Sequence, residues 1–398
     1  MGFVDETSEA FWADPHPFLS EVRERHPLAR TPIALYDVLR YDDVQRLLKD
    51  PHLTQVGLEL ITSQGIVSGP LYDWWQLIMF NNDPPVHTRL RSLVGRAFTP
   101  RRVRDFRDRI RIVAENLLGQ CIGKSGGEFD FVDDFAHFLP STVLCEMLGI
   151  PAEDHARFAH WTALISQSFS PALQPETIVA IEDALVGLNQ YVGELIEERH
   201  RRPGEDLLTA LVQAEDGGDR LDHDELVAMV INLLFAGHDT TKTGLSIALM
   251  VLGNHGDDLA AIRARPELLP GAIEETLRYE PLIGLTTRRA SVGIEIAEVP
   301  IPRDSVLVLS VMAANRDPRR FAEPDRFDIN RPDNHHLTFG YGAHHCIGSS
   351  LARAELQESL SVVFERCSRL ELLDPHPAWV PFASARRFEH LPIAVGVD

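Results

Sequence analysis

Apolar residues recur every three or four positions over much of the chain, the spacing typical of helices that bury one face. This period runs from Thr99 to about Arg202, for example in RIRIVAENLLGQC and TIVAIEDALVGLNQYVGELIEERH, and predicts successive helices there. The longest apolar run begins at LDHDEL, where Asp222 and Glu225 have capping-box spacing, and continues to Gly256. A helix of roughly thirty residues would be about 45 Å long, enough to cross a whole domain.

Strands are predicted near both ends of the chain. TPIALYDVLRYDDVQRLLKD changes from a β-rich stretch to an amphipathic helix, and ASVGIEIAEVPIPRDSVLVLSV is typical of strands. Further helices are predicted over LLPGAIEETLRYEP, ended by Pro281, and over SSLARAELQESLSVVFERC. PHLTQVGLELITSQGIVSGPLYDWWQLIMF is apolar but weakly periodic and is predicted to be a long loop. The fold class is therefore mainly α with small β-sheets, in a single domain over 1–398, because no linker is visible.

Composition narrows the class of protein. A chain of 398 residues with 44% apolar residues buries about three-quarters of its unfolded surface, so it can fold without disulfides. It has no signal-like start and no run of 18 apolar residues, which predicts a cytoplasmic protein without a membrane anchor. The formal charge of −21 argues against a nucleic-acid binder. The cysteines lie far apart and are predicted to be thiols: Cys121, Cys145, Cys346 and Cys367.

One segment, FGYGAHHCIG at 339–348, concentrates three glycines, two histidines and a cysteine. Cys346 comes just before a predicted helix, whose free N–H groups and positive dipole end favour a thiolate. The glycines permit tight backbone and the close approach of a flat group. A chance match to F-G-x-G-x-H-x-C-x-G is on the order of one in 10^8 per starting position. The segment predicts a thiolate that binds iron.

With this pattern the chain resembles the cytochrome P450 superfamily, the haem-thiolate monooxygenases. The resemblance implies haem b and the family fold, a triangular prism of helices with a long central helix and a β-rich side. Cys346 would be the axial ligand, whose anionic sulfur favours cleavage of the O–O bond. His344 would donate to a haem propionate and Phe339 would pack beside the sulfur. The other implied haem-binding residues are Gly340, Gly348, His87, Arg91, Arg288, Ala236 and Gly237.

Two of these assignments depend on other motifs. In HTRLR, His87 and Arg91 are four apart on one helical face, where both could reach a propionate. In LTTRRA, Arg288 is the other propionate donor, and the adjacent Arg289 leaves that choice open by one position.

The motif FAGHDTT lies in the longest predicted helix. Gly237 costs about 1 kcal/mol relative to Ala in a helix interior, and the Thr240 hydroxyl can bond the carbonyl of residue 236. Both effects predict a local opening of the helix. The resemblance implies that Asp239 and Thr240 are the catalytic acid–alcohol pair, in which Asp239 relays protons from solvent.

EETLR places Glu275 and Arg278 three apart. An exposed pair at this spacing contributes only about 0.2–0.5 kcal/mol. The resemblance implies instead a buried structural network with Arg326 of PDRF, where breaking a pair costs about 3–5 kcal/mol.

The central helix also bears on the substrate. Asn232, Phe235, Thr243 and the catalytic pair share one helical face, which predicts a mostly apolar pocket for a hydrophobic small molecule, most simply hydroxylated. Asn232 is expected to bond either a polar group of the substrate or backbone and water. Family analogy adds the segment 166–176, between two lid helices, and these residues: Ile283, Leu285, Trp74, Trp75, Met79 and Phe80.

Electrons must come from a partner, because the chain has no flavin or ferredoxin module and no dinucleotide fingerprint. We expect a ferredoxin and ferredoxin reductase. The stretch from Arg89 to Arg111 holds nine arginines against two aspartates, and it is either a docking face for an acidic ferredoxin or a solvated helix face.

Three other functions account for parts of the sequence. One is a peroxide-driven haem peroxygenase, which typically lacks the acid–alcohol pair, and another is a haem sensor or carrier. The third is a zinc site built from His335, His336, His344, His345 and Cys346.

Overall fold

The computed structural model describes residues 1–170, 172–381 and 385–396. Pro171, in the segment predicted to join two lid helices, lies outside them. The α-helices are α1 (Glu9–Ala13), α2 (His16–Arg25), α3 (Tyr41–Leu47), α4 (Glu59–Thr62), α5 (Pro70–Leu77), α6 (Val86–Ala97), α7 (Pro100–Ser125), α8 (Phe138–Leu148), α9 (His155–Ser166), α10 (Pro175–Arg201), α11 (Leu207–Val212), α12 (His223–Asn254), α13 (Gly256–Ala264), α14 (Leu269–Tyr279), α15 (Val311–Ala314) and α16 (Ser349–Arg366).

Short strands complete the fold. They are β1 (Gly2–Phe3), β2 (Leu28–Arg30), β3 (Tyr36–Val38), β4 (Leu53–Thr54), β5 (Glu128–Asp130), β6 (Leu285–Ala290), β7 (Ile294–Ile296), β8 (Val299–Ile301), β9 (Val306–Ser310), β10 (Arg369–Leu372) and β11 (Pro392–Gly396).

Contacts within the chain define two compact units. The first comprises Met1–Val56, Thr243–Cys346 and Val363–Asp398, and the second comprises Gly57–Lys242 and Ile347–Val362. The expectation of a single domain over 1–398 stays a prediction.

The first unit contains a six-stranded sheet in the order β1-β2-β3-β9-β6-β4. Strands β3 and β9 are parallel, with Tyr36 opposite Leu307, and β6 pairs antiparallel with β9. The side chains of Tyr36 and Val38 enter one buried cluster with Leu307 and Leu309, as the two-residue period of a strand requires. The strands predicted over residues 290–311 are thus confirmed.

The second unit is mainly helical, from α5 to the first part of α12. The capping box predicted for α12 is present: the Glu225 amide donates to the Asp222 carboxylate at 2.8 Å, and the Asp222 amide donates to Glu225 at 3.0 Å. Residues 226–234 of α12 are buried, which accounts for their continuous apolar sequence. Among the described residues, no helix combines the length and apolar character needed to cross a bilayer.

Two local expectations were wrong. The segment 51–80 is not one long loop, because α5 forms there: Gly69 takes a positive φ of 99° and Pro70 begins the helix. The central helix is α-helical throughout His223–Asn254, so the expected opening at Gly237 is not seen. A π-helical turn occurs instead at Phe131–Ala136.

The prediction for the buried network was right for Glu275 and Arg278 and wrong for Arg326. Two nitrogens of Arg278 each lie 2.8 Å from the Glu275 carboxylate, and both side chains are 0% exposed. The Arg326 side chain is 64% exposed and pairs with Glu323, because it points away from α14. The third member of the network is Arg331 instead. Its side chain is 8% exposed, and its Nε lies 3.0 Å from a Glu275 oxygen.

We expect Arg331→Ala to lower the free energy of unfolding by about 3 kcal/mol, because it removes one partner of a buried carboxylate. Arg326→Ala is the matched control and should change it by less than about 0.5 kcal/mol. Urea unfolding of both variants measures the difference. Equal destabilisation would show that the exposed arginine belongs to the network after all.

Candidate active site

The cysteine segment is a tight loop before α16. Cys346 is the exposed thiol among the four cysteines, and its amide donates to the Phe339 carbonyl at 2.8 Å. Gly340 and Gly342 have φ of +71° and +74°, as expected for positions that need glycine. A Cβ on Gly342 would lie 2.8 Å from the Cβ of Lys49, so the loop also needs glycine to pack there. Gly348 lies in the turn that leads into α16.

The histidines near this loop do not form a zinc cluster. His344 ends a 3-10 turn at Gly342–His344, whereas His335 is exposed and His336 pairs with Glu274 at 3.1 Å. Among the described residues, no group of three metal-ligand side chains includes a member of the cysteine loop. Phe339 is half-buried and its ring lies 5.9 Å from that of His336.

Strand β6 separates the two candidate arginines. Arg288 is buried and donates to the Thr287 carbonyl at 2.7 Å and the Thr286 hydroxyl at 3.1 Å. Arg289 points to the other side of the strand, where it donates to the Asp304 carbonyl. At the start of β6, Leu285 packs on a buried cluster of the sheet. Ile283, just before the strand, is half-buried.

In the second unit, α6 carries His87 and Arg91 one turn apart. His87 is buried, and this burial, with the charge of Arg91, lowers the pKa of His87. The imidazole is therefore neutral at pH 7.

The middle of α12 is more exposed to solvent than the part of the helix before it. Phe235, Ala236, Gly237, Asp239 and Thr240 are partly accessible, although residues 226–234 before them are buried. Since residues four apart share a helical face, Phe235 lies beside Asp239 and Ala236 beside Thr240.

The polar side chains of this segment are held by local bonds. The Thr240 hydroxyl donates to the Ala236 carbonyl at 2.6 Å, as predicted. A Lys242 Nζ lies 2.7 Å from the Asp239 carboxylate, with both side chains less than one-fifth exposed. Gly237 faces α8, where a Cβ would lie 2.5 Å from a methyl of Leu144, so any larger residue there would displace the Leu144 side chain.

His238 is fully buried between α12 and the start of α8. Its Nε2 lies 2.9 Å from the His137 carbonyl oxygen, which can only accept, so Nε2 carries the hydrogen. Its Nδ1 lies 3.4 Å from the Thr162 hydroxyl. Burial, with the nearby charge of Lys242, lowers the pKa of His238 to about 4. The pKa of His137 is also lowered, by burial and by Lys242.

Sequence reasoning missed three groups near Asp239 and Thr240. The pairing of Lys242 with Asp239 could have been predicted from the sequence, because opposite charges three residues apart on a helix often pair. Glu355 of α16 could not have been found from the sequence: it is fully buried beside Thr241, and burial raises its pKa well above the usual range. His238 gave no signal beyond its apolar neighbours.

The predicted pocket residues of the second unit lie together. Trp74 and Trp75 of α5 and Phe80 of the 3-10 turn Met79–Asn81 belong to one group of rings with Phe235. Phe169, which the sequence did not single out, completes it. Met79, Asn232 and Thr243 are buried.

Comparison with known proteins identifies the class. The family model described as Cytochrome P450 matches residues 63–264 and 258–377. Cytochrome P450 107B1 of Saccharopolyspora erythraea is 38% identical over 98% of this chain and 96% of its own length. The 6-deoxyerythronolide B hydroxylase of the same organism is 35% identical over 98% of both chains. The crystal structure of CalO2 superposes with a TM-score of 0.93 at 31% identity and covers 100% of both chains.

The chain therefore belongs to the cytochrome P450 family and is a monooxygenase with a haem-thiolate cofactor. The predicted fold class, mainly α with small sheets in the family's arrangement, is confirmed.

The buried imidazole of His238 predicts a pH dependence of stability. The unfolded side chain binds a proton near pH 6.5, but the folded one binds it only near pH 4. Stability is therefore lost as pH falls from about 7 to about 4, by on the order of 3 kcal/mol. In His238→Gln this part of the loss should be absent, whereas exposed His335→Gln should behave like the wild type. Urea unfolding at pH 7 and pH 4.5 tests this, and parallel pH slopes for all three proteins would contradict it.

Proposed function

We propose that this monooxygenase binds haem b through Cys346, takes electrons from a ferredoxin and its reductase, and hydroxylates a hydrophobic small molecule. When bound, the haem supplies the iron at which dioxygen is activated. The observation that carries the proposal is the cysteine loop. It presents an exposed thiol on two left-handed glycines immediately before a helix, while the other three cysteines are buried.

The residues suited to hold the haem carboxylates are His87, Arg91, Arg288 and His344. The burial of Arg288 supports its choice over Arg289, which is engaged with the Asp304 carbonyl. A guanidinium kept from water interacts more strongly with a carboxylate than an exposed one does. Ala236 is partly accessible and lies one turn before Thr240, which suits it to border a flat group, whereas Gly237 packs against Leu144 of α8.

Asp239 and Thr240 are suited to proton delivery. The Thr240 hydroxyl already donates to Ala236, so its oxygen can accept from a water on the open side of the helix. Lys242 holds the Asp239 carboxylate at 2.7 Å and thereby fixes where a proton is taken up. In this scheme Lys242 is a positioning residue, and Asp239 is the group that exchanges protons with solvent.

The docking surface that we propose for ferredoxin is only part of the arginine-rich stretch. Four of the nine arginines between residues 89 and 111 pair with carboxylates elsewhere in the second unit: Arg89 with Asp219 and Glu225, Arg96 with Asp216, Arg107 with Glu358, and Arg109 with Glu146. The first turn of α7, with Arg101, Arg102 and Arg104, retains an excess of positive charge over Asp105. We assign the ferredoxin contact to this turn.

Cys346→Ser should abolish the strongly red-shifted Soret band of the reduced carbon monoxide complex, because a hydroxyl cannot replace the thiolate. Cys367→Ala is the control and should keep the band. The measurement is an absorption spectrum of each purified protein, reduced and saturated with carbon monoxide. A band that survives in Cys346→Ser, or is missing from the wild type, would refute the assigned ligand.

Reversal of charge at the first turn of α7 should slow electron transfer. We expect Arg102→Glu with Arg104→Glu to reduce the rate constant with a ferredoxin by about threefold to tenfold at low salt, and to weaken its salt dependence. Arg303→Glu, an exposed site in the first unit, is the control. The test is stopped-flow reduction over a range of ionic strength. An unchanged rate in the double variant would place the ferredoxin elsewhere.

A further inference from the structure

Five aromatic side chains of the second unit form one group, here called the aromatic cluster: Trp74, Trp75, Phe80, Phe169 and Phe235. The rings of Phe169 and Phe235 are stacked, with centroids 4.9 Å apart and planes 3° from parallel. Trp74 meets Phe235 edge to face at 6.0 Å. Trp75 and Phe80 lie 4.6 Å and 5.6 Å from Phe169. The cluster thus joins α5, two 3-10 turns and α12.

The aromatic cluster borders the accessible part of α12. Phe80, Phe169 and Phe235 are half-buried, and Phe235 lies one turn before Asp239 on the same helical face. Aromatic rings whose faces are partly open offer contact area to a ligand, whereas fully enclosed rings contribute only to packing.

Two polar atoms beside these rings are buried without a hydrogen-bond partner. The Trp74 side chain is 3% exposed and Asn232 is 4% exposed, and neither Trp74 Nε1 nor Asn232 Oδ1 has a partner within 1–170, 172–381 and 385–396. Trp75, next in sequence, donates its Nε1 hydrogen to the Gly57 carbonyl at 3.3 Å, as buried indoles usually do. Asn232 precedes Phe235 by three residues and therefore lies on the same helical face.

Both residues adjoin Phe235, Trp74 through its ring and Asn232 one helical turn away, so one ligand at the aromatic cluster would supply both missing partners. Each such group costs stability when it is buried alone, so proteins rarely keep one without a use. The indole N–H requires an acceptor, and the amide oxygen requires a donor. A hydroxyl group can serve as either.

We propose that the substrate is a planar aromatic compound that bears at least one hydroxyl or comparable polar group. Its ring packs on the aromatic cluster, and its polar groups bond to Trp74 and Asn232. The inference rests on the proposed function, because it assigns the molecule that the same enzyme oxidises. Saturated chains and rings would bury the same surface but lose the preferred ring–ring geometries.

Three probes separate the contributions: naphthalen-2-ol, naphthalene without the hydroxyl, and trans-decahydronaphthalen-2-ol without the aromatic rings. Dissociation constants are measured with the haem-loaded enzyme by titration calorimetry, and independently by the spin-state shift of the ferric spectrum. We expect naphthalen-2-ol to bind about tenfold more tightly than naphthalene. It should bind about fivefold more tightly than the saturated alcohol.

The variants Trp74→Phe and Asn232→Leu remove the polar atoms and keep apolar bulk. Combined in one protein, they should abolish the difference between naphthalen-2-ol and naphthalene while the affinity for naphthalene stays within about twofold. Trp161→Phe is the matched control, since Trp161 lies in the same unit but packs with Phe158 outside the aromatic cluster, and it should preserve the difference.

Several outcomes would overturn the inference. It is wrong if the saturated alcohol binds as tightly as naphthalen-2-ol, if none of the probes binds, or if the hydroxyl preference survives in the double variant. The carbon monoxide spectrum of the same preparation keeps this failure separate from failure of the proposed function. A normal spectrum with unselective binding rejects the aromatic substrate and retains the monooxygenase.

Discussion

The buried negative charge of Glu275 is the constraint on which the cysteine loop depends. A carboxylate shut off from water is tolerated only when every oxygen lone pair is engaged, and this requirement fixes the segment that surrounds it. The segment continues directly into the loop, where Thr338 donates to the Leu277 carbonyl of α14 at 2.6 Å. The Glu275 network and this bond thus anchor the segment that leads to Cys346. The Glu275 carboxylate accepts hydrogen bonds from the side chains of Arg278, Arg331 and Asn334 and from the backbone amide of Asp328.

A different constraint acts on α12. Most of the helix is buried and therefore needs apolar residues, but the proposed chemistry needs polar side chains near its middle. Between residues 238 and 240 the helix engages its polar side chains by local bonds. Thr240 bonds to its own helix, Asp239 to Lys242, and His238 to the carbonyl that precedes α8. The helix therefore remains regular, although Gly237 and Thr240 both lower its intrinsic stability.

Sequence patterns located several features that depend on neighbours in the chain. The α12 cap, the glycine loop and the Glu275–Arg278 pair involve residues at most a few positions apart, where helix periodicity and turn chemistry decide the geometry. Sequence patterns did not predict contacts between segments that are distant in the chain. Arg326 and Arg331 are five residues apart in irregular backbone, and no local rule says which one turns inward. The same holds for Glu355, because its burial against Thr241 depends on how α16 packs on α12.

The residues for the reaction are close together in the sequence, whereas the residues proposed to set its specificity come from distant segments. The thiolate loop and the polar turns of α12 are each local in sequence, so the class of enzyme can be inferred from two short motifs. The aromatic cluster is assembled from residues up to 161 positions apart, as between Trp74 and Phe235. The sequence predicts four of its five members as pocket residues, whereas Phe169 and the polar atoms that lack partners are found only from the fold. Which donors and acceptors lack partners depends on contacts between distant segments, and apolar periodicity does not report those contacts.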